Sequence, residues 1–561
     1  MTTEKEELLR QIRELEKKRD ILRSQIKHQQ YGLVWLDVPE AFDEESENKI
    51  PILEEVTDNA ICHDDGKPTH ILIEGDNYHS LKCLNYTHKG KVDVIYIDPP
   101  YNTGNDGFTY KDKRVMDKDP EGKELPKNHP LRHSTWLSFM DKRLRLAKDL
   151  LSDKGVIFIS IDDNEDAALK LLCDSIFSRE NKVADIIWQS RKSVSNDTFI
   201  SNNHNYTLVY FKDSKKWNKG DLNMPASLDK FENPDNDPRG AWVADPFDAP
   251  EIRPNLTYPI INPNTGKFYL PPEGRHWRTT EEEYKKMLAD GRIVFGKKGL
   301  TKPQLKRYIY EAESKGQTPI SIWNDIETTT DGTKLLDSIL GKNKFSNPKP
   351  IGLLNRILTI ASKSDSVILD FFAGSGTTLH ATMKQNEQDG GKRQCILCQI
   401  NEGDICTDVT YERNKRVMNG YTDSKGNEIE GLGNSLKYYR TAFVGKNNPQ
   451  QATDDDKVAL AKKAGCLLAL AENTLYERKS TDFYQFYDDG QGHSTAIYFQ
   501  EDYSAYTEFL QEVKNIDGKR TVYVFSWGTG EEFSEDFEGM KDVSLKGIPQ
   551  PILDIYKSLN Q

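Results

Sequence analysis

Short runs rich in β-branched residues alternate with helix-length stretches over much of this chain, and that alternation constrains its fold most. Residues 69–75 and 91–97 (Lys-Val-Asp-Val-Ile-Tyr-Ile) are such runs, and Gly155 opens a third, Val156–Ile161. Apolar runs without a polar alternate predict strands buried on both faces of a mostly parallel sheet. Residues 76–88 suit a crossover helix, and 134–152 carry Trp136, Phe139, Met140, Leu144 and Leu150 at helical spacing. Asp162 or Asp163 caps a further helix over 164–178. The pattern breaks at about 213–345, a stretch rich in Pro, Asn, Asp and Gly that holds Trp217, Trp242, Trp277 and Trp323. It resumes with a helix at 350–363, Val367–Asp370, a glycine-rich turn, a helix from 376 and a strand at 394–400. An inserted module therefore interrupts one α/β sheet. The segment 450–561 has its own helices (456–473, 502–514) and strands (495–500, 520–526), as a separate α/β domain would. Residues 4–30 place Leu8, Ile12, Leu15, Leu22 and Ile26 on a heptad stripe, which serves a helix on its own globule or a short coiled coil equally well.

Composition narrows the function classes. With 36% hydrophobic residues the chain can form packed cores. No apolar run approaches the ~18 residues of a membrane span, and the charged N-terminus has no secretory h-region. Seven cysteines suit a reducing cytoplasm. Cys395 and Cys398 lie in a strand-like run with no second pair at zinc spacing, so they read as core thiols and no metal site is expected. The net charge of −13 argues against generic nucleic-acid binding, so any DNA-binding surface must be local.

Asp370-Phe-Phe-Ala-Gly374-Ser-Gly376-Thr-Thr378 stands at a strand-to-helix junction, where glycines admit a ligand close to the backbone and a helix offers free N–H groups. The third glycine of a dinucleotide fingerprint is replaced by Leu379, and the chain has no G-x-x-x-x-G-K-[ST] phosphate loop. S-adenosylmethionine, an adenosine with an amino-acid tail and no phosphate, suits such a turn. Glu402, just past the next strand, is the candidate acceptor for its ribose hydroxyls; a purely structural turn is the competing reading.

Asp98-Pro99-Pro100-Tyr101 follows directly on a buried strand. Two prolines fix the backbone as it leaves the sheet. The Asp98 carboxylate and the Pro99 carbonyl can accept both N–H bonds of an exocyclic base amine, freeing its lone pair toward a methyl donor, while the Tyr101 ring can stack on the base. A base so held must be flipped from its duplex. The bland alternative is a Pro-Pro turn that ends a strand.

Together these motifs resemble the β-class amino methyltransferases of DNA, in which a DPPY-type motif precedes a target-recognition insert and an F-x-G-x-G motif follows. More narrowly the chain resembles the modification (Mod) subunits of type III restriction-modification systems, through Ile97–Gly104, Gly107-Phe-Thr-Tyr-Lys-Asp112, Trp136–Asp141 and Phe345–Pro350. The resemblance implies a methyltransferase fold of permuted motif order, a mostly parallel sheet with helices on both faces. Its implied parts are 1–50 (dimer or partner segment), 51–188 and 346–449 (catalytic core), 189–345 (recognition insert) and 450–561 (C-terminal α/β domain). It implies that Asp98 touches amine and donor, that Phe372, Gly374 and Gly376 line the cofactor beside Asp370, that Lys349 and Pro350 border its methionine end, and that Asp76 closes over it. Asp76 serves equally as a helix cap. Asp at the first motif position leans toward adenine N6. The resemblance further implies double-stranded DNA as substrate, a homodimer, a separate restriction subunit with ATPase and nuclease activities, and a bacterial cytoplasm.

Lys297, Lys298, Lys302, Lys306 and Arg307, near Phe295 and Tyr308, form the candidate phosphate-tracking patch of the insert, or else a solvated helix face, since Glu311 and Glu313 follow. Arg191, Lys192, Arg275 and Arg278 add charge elsewhere. Two rival functions stay open: methylation of cytosine N4 or of RNA, and a non-catalytic recognition subunit on a methylase fold.

Overall fold

A computed structural model describes residues 33, 35–38, 40 and 49–559, less 104–113, 116, 120–121, 127–128 and 297. The helix expected over 4–30, the string Gly107–Asp112 and Lys297 lie outside the described residues. The chain forms two compact units: Asn218–Ile320, and everything on either side of it.

The first unit is built on a ten-stranded sheet. Its strands are β1 (Ile50–Glu55), β2 (Thr69–Glu74), β3 (Val92–Ile97), β4 (Leu151–Ile161), β5 (Lys182–Trp188), β6 (Asn205–Phe211), β7 (Ile322–Trp323), β8 (Val367–Asp370), β9 (Gln394–Gln399) and β10 (Ser435–Val444). Their spatial order is β1-β10-β2-β9-β8-β3-β4-β6-β5-β7. The run from β10 to β4 is parallel throughout. The pairs β1–β10, β4–β6 and β6–β5 are antiparallel. The helices are α1 (Asn77–Thr87), α2 (Ser134–Leu150), α3 (Asp166–Cys173), α4 (Thr329–Leu340), α5 (Ile351–Ala361), α6 (Thr377–Asp389) and α7 (Glu412–Asn419).

The central strands form where both faces are covered. Ile95, Ile97, Ile157, Ile159, Ile368, Leu369 and Ile396 are completely buried, and each such side chain contributes about 1.5–3 kcal/mol. Cys395 and Cys398 are buried free thiols in β9, as expected, and burial pushes both thiol pKa values up. One polar residue stands within β3. Asp93 accepts from Val367 N (3.0 Å) and Ser152 Oγ (3.0 Å), tying the starts of β8 and β4 to β3. From β3 the chain crosses through α2 to β4 on one side; from β8 it crosses through α6 to β9 on the other. The sheet therefore reverses its winding between two adjacent strands, and ligand crevices open at the carboxyl ends of strands at such a point.

The compact unit Asn218–Ile320 is narrower than the expected insert 189–345. Residues 205–211 and 322–323 are strands of the main sheet, and α4 belongs to the first unit. The smaller unit has its own core of Phe247, Tyr258, Ile260, Trp277, Tyr284, Ile293 and Phe295.

The C-terminal segment carries a five-stranded sheet in the order Tyr476–Ser480, Tyr484–Asp488, His493–Tyr498, Lys519–Ser526, Val543–Pro549. It is not a free-standing domain. Leu467, Leu468, Ile552, Leu553 and Tyr556 share one core with Ile50, Ile52, Leu81 and Leu84, and Tyr556 Oη donates to Pro51 O at 3.1 Å. Its helices bury one apolar face on its own sheet and the other on α1 and β1. Among the described residues no helix is long and apolar enough to cross a membrane.

Candidate active site at the strand switch point

The carboxyl end of β3 runs into Asp98-Pro99-Pro100-Tyr101. Trp136 Nε1 donates to Pro100 O at 2.7 Å, pinning the corner to α2. Asn102 then turns the chain in a left-handed conformation (φ 58°), a region asparagine tolerates better than most residues. Its amide donates to the buried Glu165 at 2.6 Å.

Each Asp98 oxygen has a partner. Tyr101 Oη donates to Oδ1 at 2.7 Å, and Lys349 Nζ to Oδ2 at 2.5 Å. The Lys349 side chain is 10% exposed, so solvent screens this ion pair little. The same ammonium lies 5.1 Å from the Tyr101 ring centroid, and Asn205 Nδ2 donates to Tyr101 Oη at 3.3 Å. Burial, reinforced by the Asp98 charge, pushes the Tyr101 phenol well above its ordinary pKa, so it remains a donor. Tyr101 thus orients the carboxylate, in addition to the ring face that sequence reasoning singled out.

The glycine turn leaves the adjacent strand. Asp370 Oδ1 accepts from Phe372 N (3.0 Å) and Oδ2 from Thr378 Oγ1 (2.5 Å), so one buried carboxyl spans the turn. Burial raises its pKa to about 7, with the nearby Asp98 charge adding to the rise. Gly374 (φ 51°) donates its N–H to Gln399 Oε1 at 2.7 Å, and its carbonyl accepts from Thr410 Oγ1 at 2.6 Å. Gly376 (φ 70°) begins α6. A β-carbon there would collide with the Asn414 side chain. That glycine lets the helix pack closely on Asn414 and is not among the residues that line the cavity.

Beneath the turn lies Arg413, fully buried. It donates to Ser375 O (3.2 Å), Ser375 Oγ (3.0 Å) and Thr377 Oγ1 (2.7 Å). Thr377 Oγ1 in turn donates to Lys349 O at 3.3 Å. Among the described residues no carboxylate pairs with this guanidinium, and burial lowers its pKa to about 9.

Asp76 is the helix cap that the sequence allows, accepting from Tyr78 N at 2.7 Å at the start of α1, and it also faces the cavity. Arg143, fully buried, donates to both Asp76 oxygens at 3.3 Å and to Glu40 at 2.8 and 2.9 Å. The Phe139 ring receives two guanidinium groups, Arg143 and Arg114, each 3.7 Å from its centroid.

These pieces surround one cavity of about 570 Å³, within the size range of small-molecule sites. Asp76, Asp98, Pro99, Pro100, Tyr101, Lys349, Asp370, Phe372, Gly374 and Glu402 all line it. Glu402 is exposed at its rim, in the turn Glu402–Asp404 after β9. Arg114, Asn205 and Gln399 also line it and were not singled out in the sequence as site residues, and Phe139, read there as a helix position, lines it too. None stands in a glycine or proline motif, the only local signal available.

The basic cluster of the insert is different from its expectation. Gln304–Tyr308 is a strand paired antiparallel with Trp242–Pro246, and that pairing brings in acids. Lys306, 3% exposed, donates to Asp235 (2.5 Å) and Asp237 (2.7 Å). Lys302 pairs with Asp248 (2.9 Å), Arg307 with Asp245 (2.8 Å) and Arg275 with Asp248. Lys306 is thus structural, Lys302 and Arg307 are neutralised by neighbours, and Lys298 is exposed. The residues 304–308 form a strand, so the alternative of a solvated helix face does not hold there.

The profile of the DNA methylase family matches residues 92–407, which run from β3 through both motifs. The chain is 36% identical over 445 residues to the type III restriction-modification enzyme StyLTI Mod subunit of Salmonella typhimurium LT2, covering 72% of this chain and 64% of that one. It is 33% identical to the EcoPI Mod subunit of Escherichia phage P1, over 64% of this chain and 62% of that one. It thus spans less than two thirds of the length of these Mod subunits. It is 31% identical to the type II methyltransferase M.KpnI of Klebsiella pneumoniae, over 66% of this chain and 90% of that one. Among solved structures, the cytosine-N4-specific PvuII DNA methyltransferase aligns at 10% identity and TM-score 0.33, covering 62% of this chain and 87% of that one. With the profile spanning more than half of the sequence, and with both of its motifs facing one cavity, this chain belongs to the DNA methylase family.

Proposed function

We propose that this chain transfers the methyl group of S-adenosylmethionine to N6 of a flipped-out adenine in double-stranded DNA, as the modification and recognition subunit of a type III restriction-modification system. The carrying observation is that Asp98 at the end of β3 and the glycine turn at the end of β8 open into the same cavity. In this reading the chain works in the bacterial cytoplasm as a homodimer, with a separate restriction subunit.

The residues present fit the cofactor. The cavity is large enough, the turn at Gly374 exposes backbone rather than side chain, and Glu402 at the rim offers a carboxylate to ribose hydroxyls. Phe372 supplies an apolar wall, with Asp76 on the facing segment. When bound, S-adenosylmethionine supplies an activated methyl on a sulfonium. The protein supplies positioning. Asp98 and the Pro99 carbonyl accept the two N–H bonds of the base amine. A carboxylate has about four acceptor sites, so Asp98 can serve the amine while Tyr101 and Lys349 hold it still.

The test is to incubate the purified chain with duplex DNA and methyl-labelled S-adenosylmethionine and digest the product to nucleosides. Label is expected in N6-methyladenine. Label in N4-methylcytosine would refute the base assignment. Absence of label, with no calorimetric heat on adding S-adenosylmethionine, would refute catalysis and leave a recognition subunit.

A further inference from the structure

Residues 189–204 connect β5 to β6 as a loop beside the cavity. Its two feet line that cavity through Ser190 and Arg191 on one side and Asn202 and His204 on the other. The strand it enters begins with Asn205, the residue that donates to Tyr101 Oη.

The loop is braced. Arg191 donates to Asn202 O at 2.8 Å and its backbone N–H to Asn203 O at 3.2 Å. Asn203 Nδ2 donates to Ser193 O at 2.9 Å, and Ser195 N to Ser201 Oγ at 3.0 Å. The Asn202 amide also bonds Asp163, at the start of the turn after β4. Beyond these cross-links the tip holds three apolar side chains in solvent: Val194 at 72% exposure, Ile200 at 87%, and Phe199 as open as in an extended chain. Single exposed apolar residues need no explanation. Three on one braced tip, including an aromatic ring, are an unpartnered surface fixed in place beside a site.

We propose that Phe199 and Ile200 form a wedge that enters the DNA stack where the target base has left it. This rests on the function proposed above. A base flipped into the cavity leaves a gap flanked by two stacked pairs. A planar ring and a branched aliphatic group are the side chains that occupy such gaps. The gap lies next to the cavity by necessity, because the flipped nucleotide remains bonded to both its neighbours. Exposed Arg191 and Lys192 on the same loop supply cationic contacts for the flanking phosphates. The single acid of the tip, Asp197, is exposed.

The experiment uses the full chain and a duplex of the sequence it methylates, with 2-aminopurine at the target adenine as a reporter of unstacking. The Phe199→Ser/Ile200→Ser double variant changes only exposed side chains. It is expected to lose most of the fluorescence rise seen with the parent chain, and to methylate the adenine duplex about 10–100 times more slowly, as expected when unstacking is no longer compensated. An abasic site opposite the target adenine makes flipping easier and is expected to restore its rate to within about threefold of the parent. Calorimetric binding of S-adenosylmethionine is expected to be unchanged. Parental turnover on the paired duplex would overturn the wedge, and so would a defect of equal size on the abasic duplex. Loss of restriction-subunit binding with unaltered methylation would overturn it in favour of a protein interface. Failure of the parent chain itself to methylate any duplex would instead remove the function on which the wedge rests.

Discussion

Replacing Asp370 by Asn removes a carboxyl that the fold holds against its ordinary chemistry. The side chain is 2% exposed and its pKa stands near 7 rather than 3.8, chiefly through burial. A rise of about three units corresponds to about 4 kcal/mol of differential stability. The folded state binds the proton more tightly than the unfolded state does. Stability from this group is therefore fully present below about pH 4, declines as pH rises toward 7, and is constant above it. Asn is neutral at every pH and escapes the decline. Its carbonyl oxygen still accepts from Phe372 N, and the altered bond to Thr378 adds a pH-independent change of about 1 kcal/mol. Urea unfolding of both proteins, followed by tryptophan fluorescence, measures the difference. Relative to wild type, the variant is expected to gain about 3 kcal/mol between about pH 5 and about pH 8. A difference that stays constant across that interval would show that Asp370 ionises normally, and that the turn is held by an ordinary carboxylate.

Other substitutions probe the rest of the site and the insert. Asp98→Ala is expected to lower single-turnover methyl transfer by about a thousandfold while calorimetric binding of S-adenosylmethionine and gel-shift binding of DNA persist; retained turnover would remove its assigned role. Lys306→Met removes a buried ammonium from between exposed Asp235 and buried Asp237, which keeps Arg239 and Tyr308 as partners, and is expected to cost about 1–3 kcal/mol in urea unfolding. It should leave the salt dependence of DNA binding unaltered, whereas a slope reduced by about one would return Lys306 to phosphate contact. Arg413→Met gives up its hydrogen bonds to Ser375, Thr377 and His380 but also relieves a buried charge, so stability is expected to move by less than about 2 kcal/mol. With Ser375 and Thr377 unanchored, the KM for S-adenosylmethionine is expected to rise about tenfold, and an unchanged KM would show that the turn stands without the arginine.

The central strands and crossover helices were legible because they follow one-dimensional rules. A run such as Val94–Ile97 is apolar on both faces only if it is covered on both, and prolines or glycines mark where it ends. Strand β6 (Asn205–Phe211) escaped because it follows an irregular Ser- and Asn-rich stretch, and it fell inside the expected insert, whereas β5 fell just outside it. The pairing of charges was not legible for a related reason. Lys302, Lys306 and Arg307 cluster in sequence, but the acids that neutralise them arrive across strands from positions far earlier in the chain. Local spacing carries no record of such pairing. The site divides the same way: its motif residues could be found from rigid turns, while Arg413, Gln399 and Asn205 act through contacts that only the folded topology creates.

That topology also explains why the two motifs can stand so far apart with a whole unit between them. The site needs β3 and β8 as neighbours, with their onward connections running to opposite sides. It does not need the strands to be close in sequence. The chain leaves after β6 and returns at β7, on the outer portion of the sheet, so residues 218–320 can be accommodated without altering the order of the central strands. Direct pairing between β3 and β8 is short, Val94 with Ile368 and Ile95 with Leu369. Asp93 reinforces it at the start through Val367 N. At the other end, beside the cavity, the ion pair of Lys349 with Asp98 joins the segment leading into β8 to the corner leaving β3. The Asp98 carboxylate is therefore itself one of the fastenings between the two halves of the core. Removing it affects the alignment of the halves as well as any amine held in the proposed way, which is why binding has to be measured alongside turnover when Asp98 is replaced.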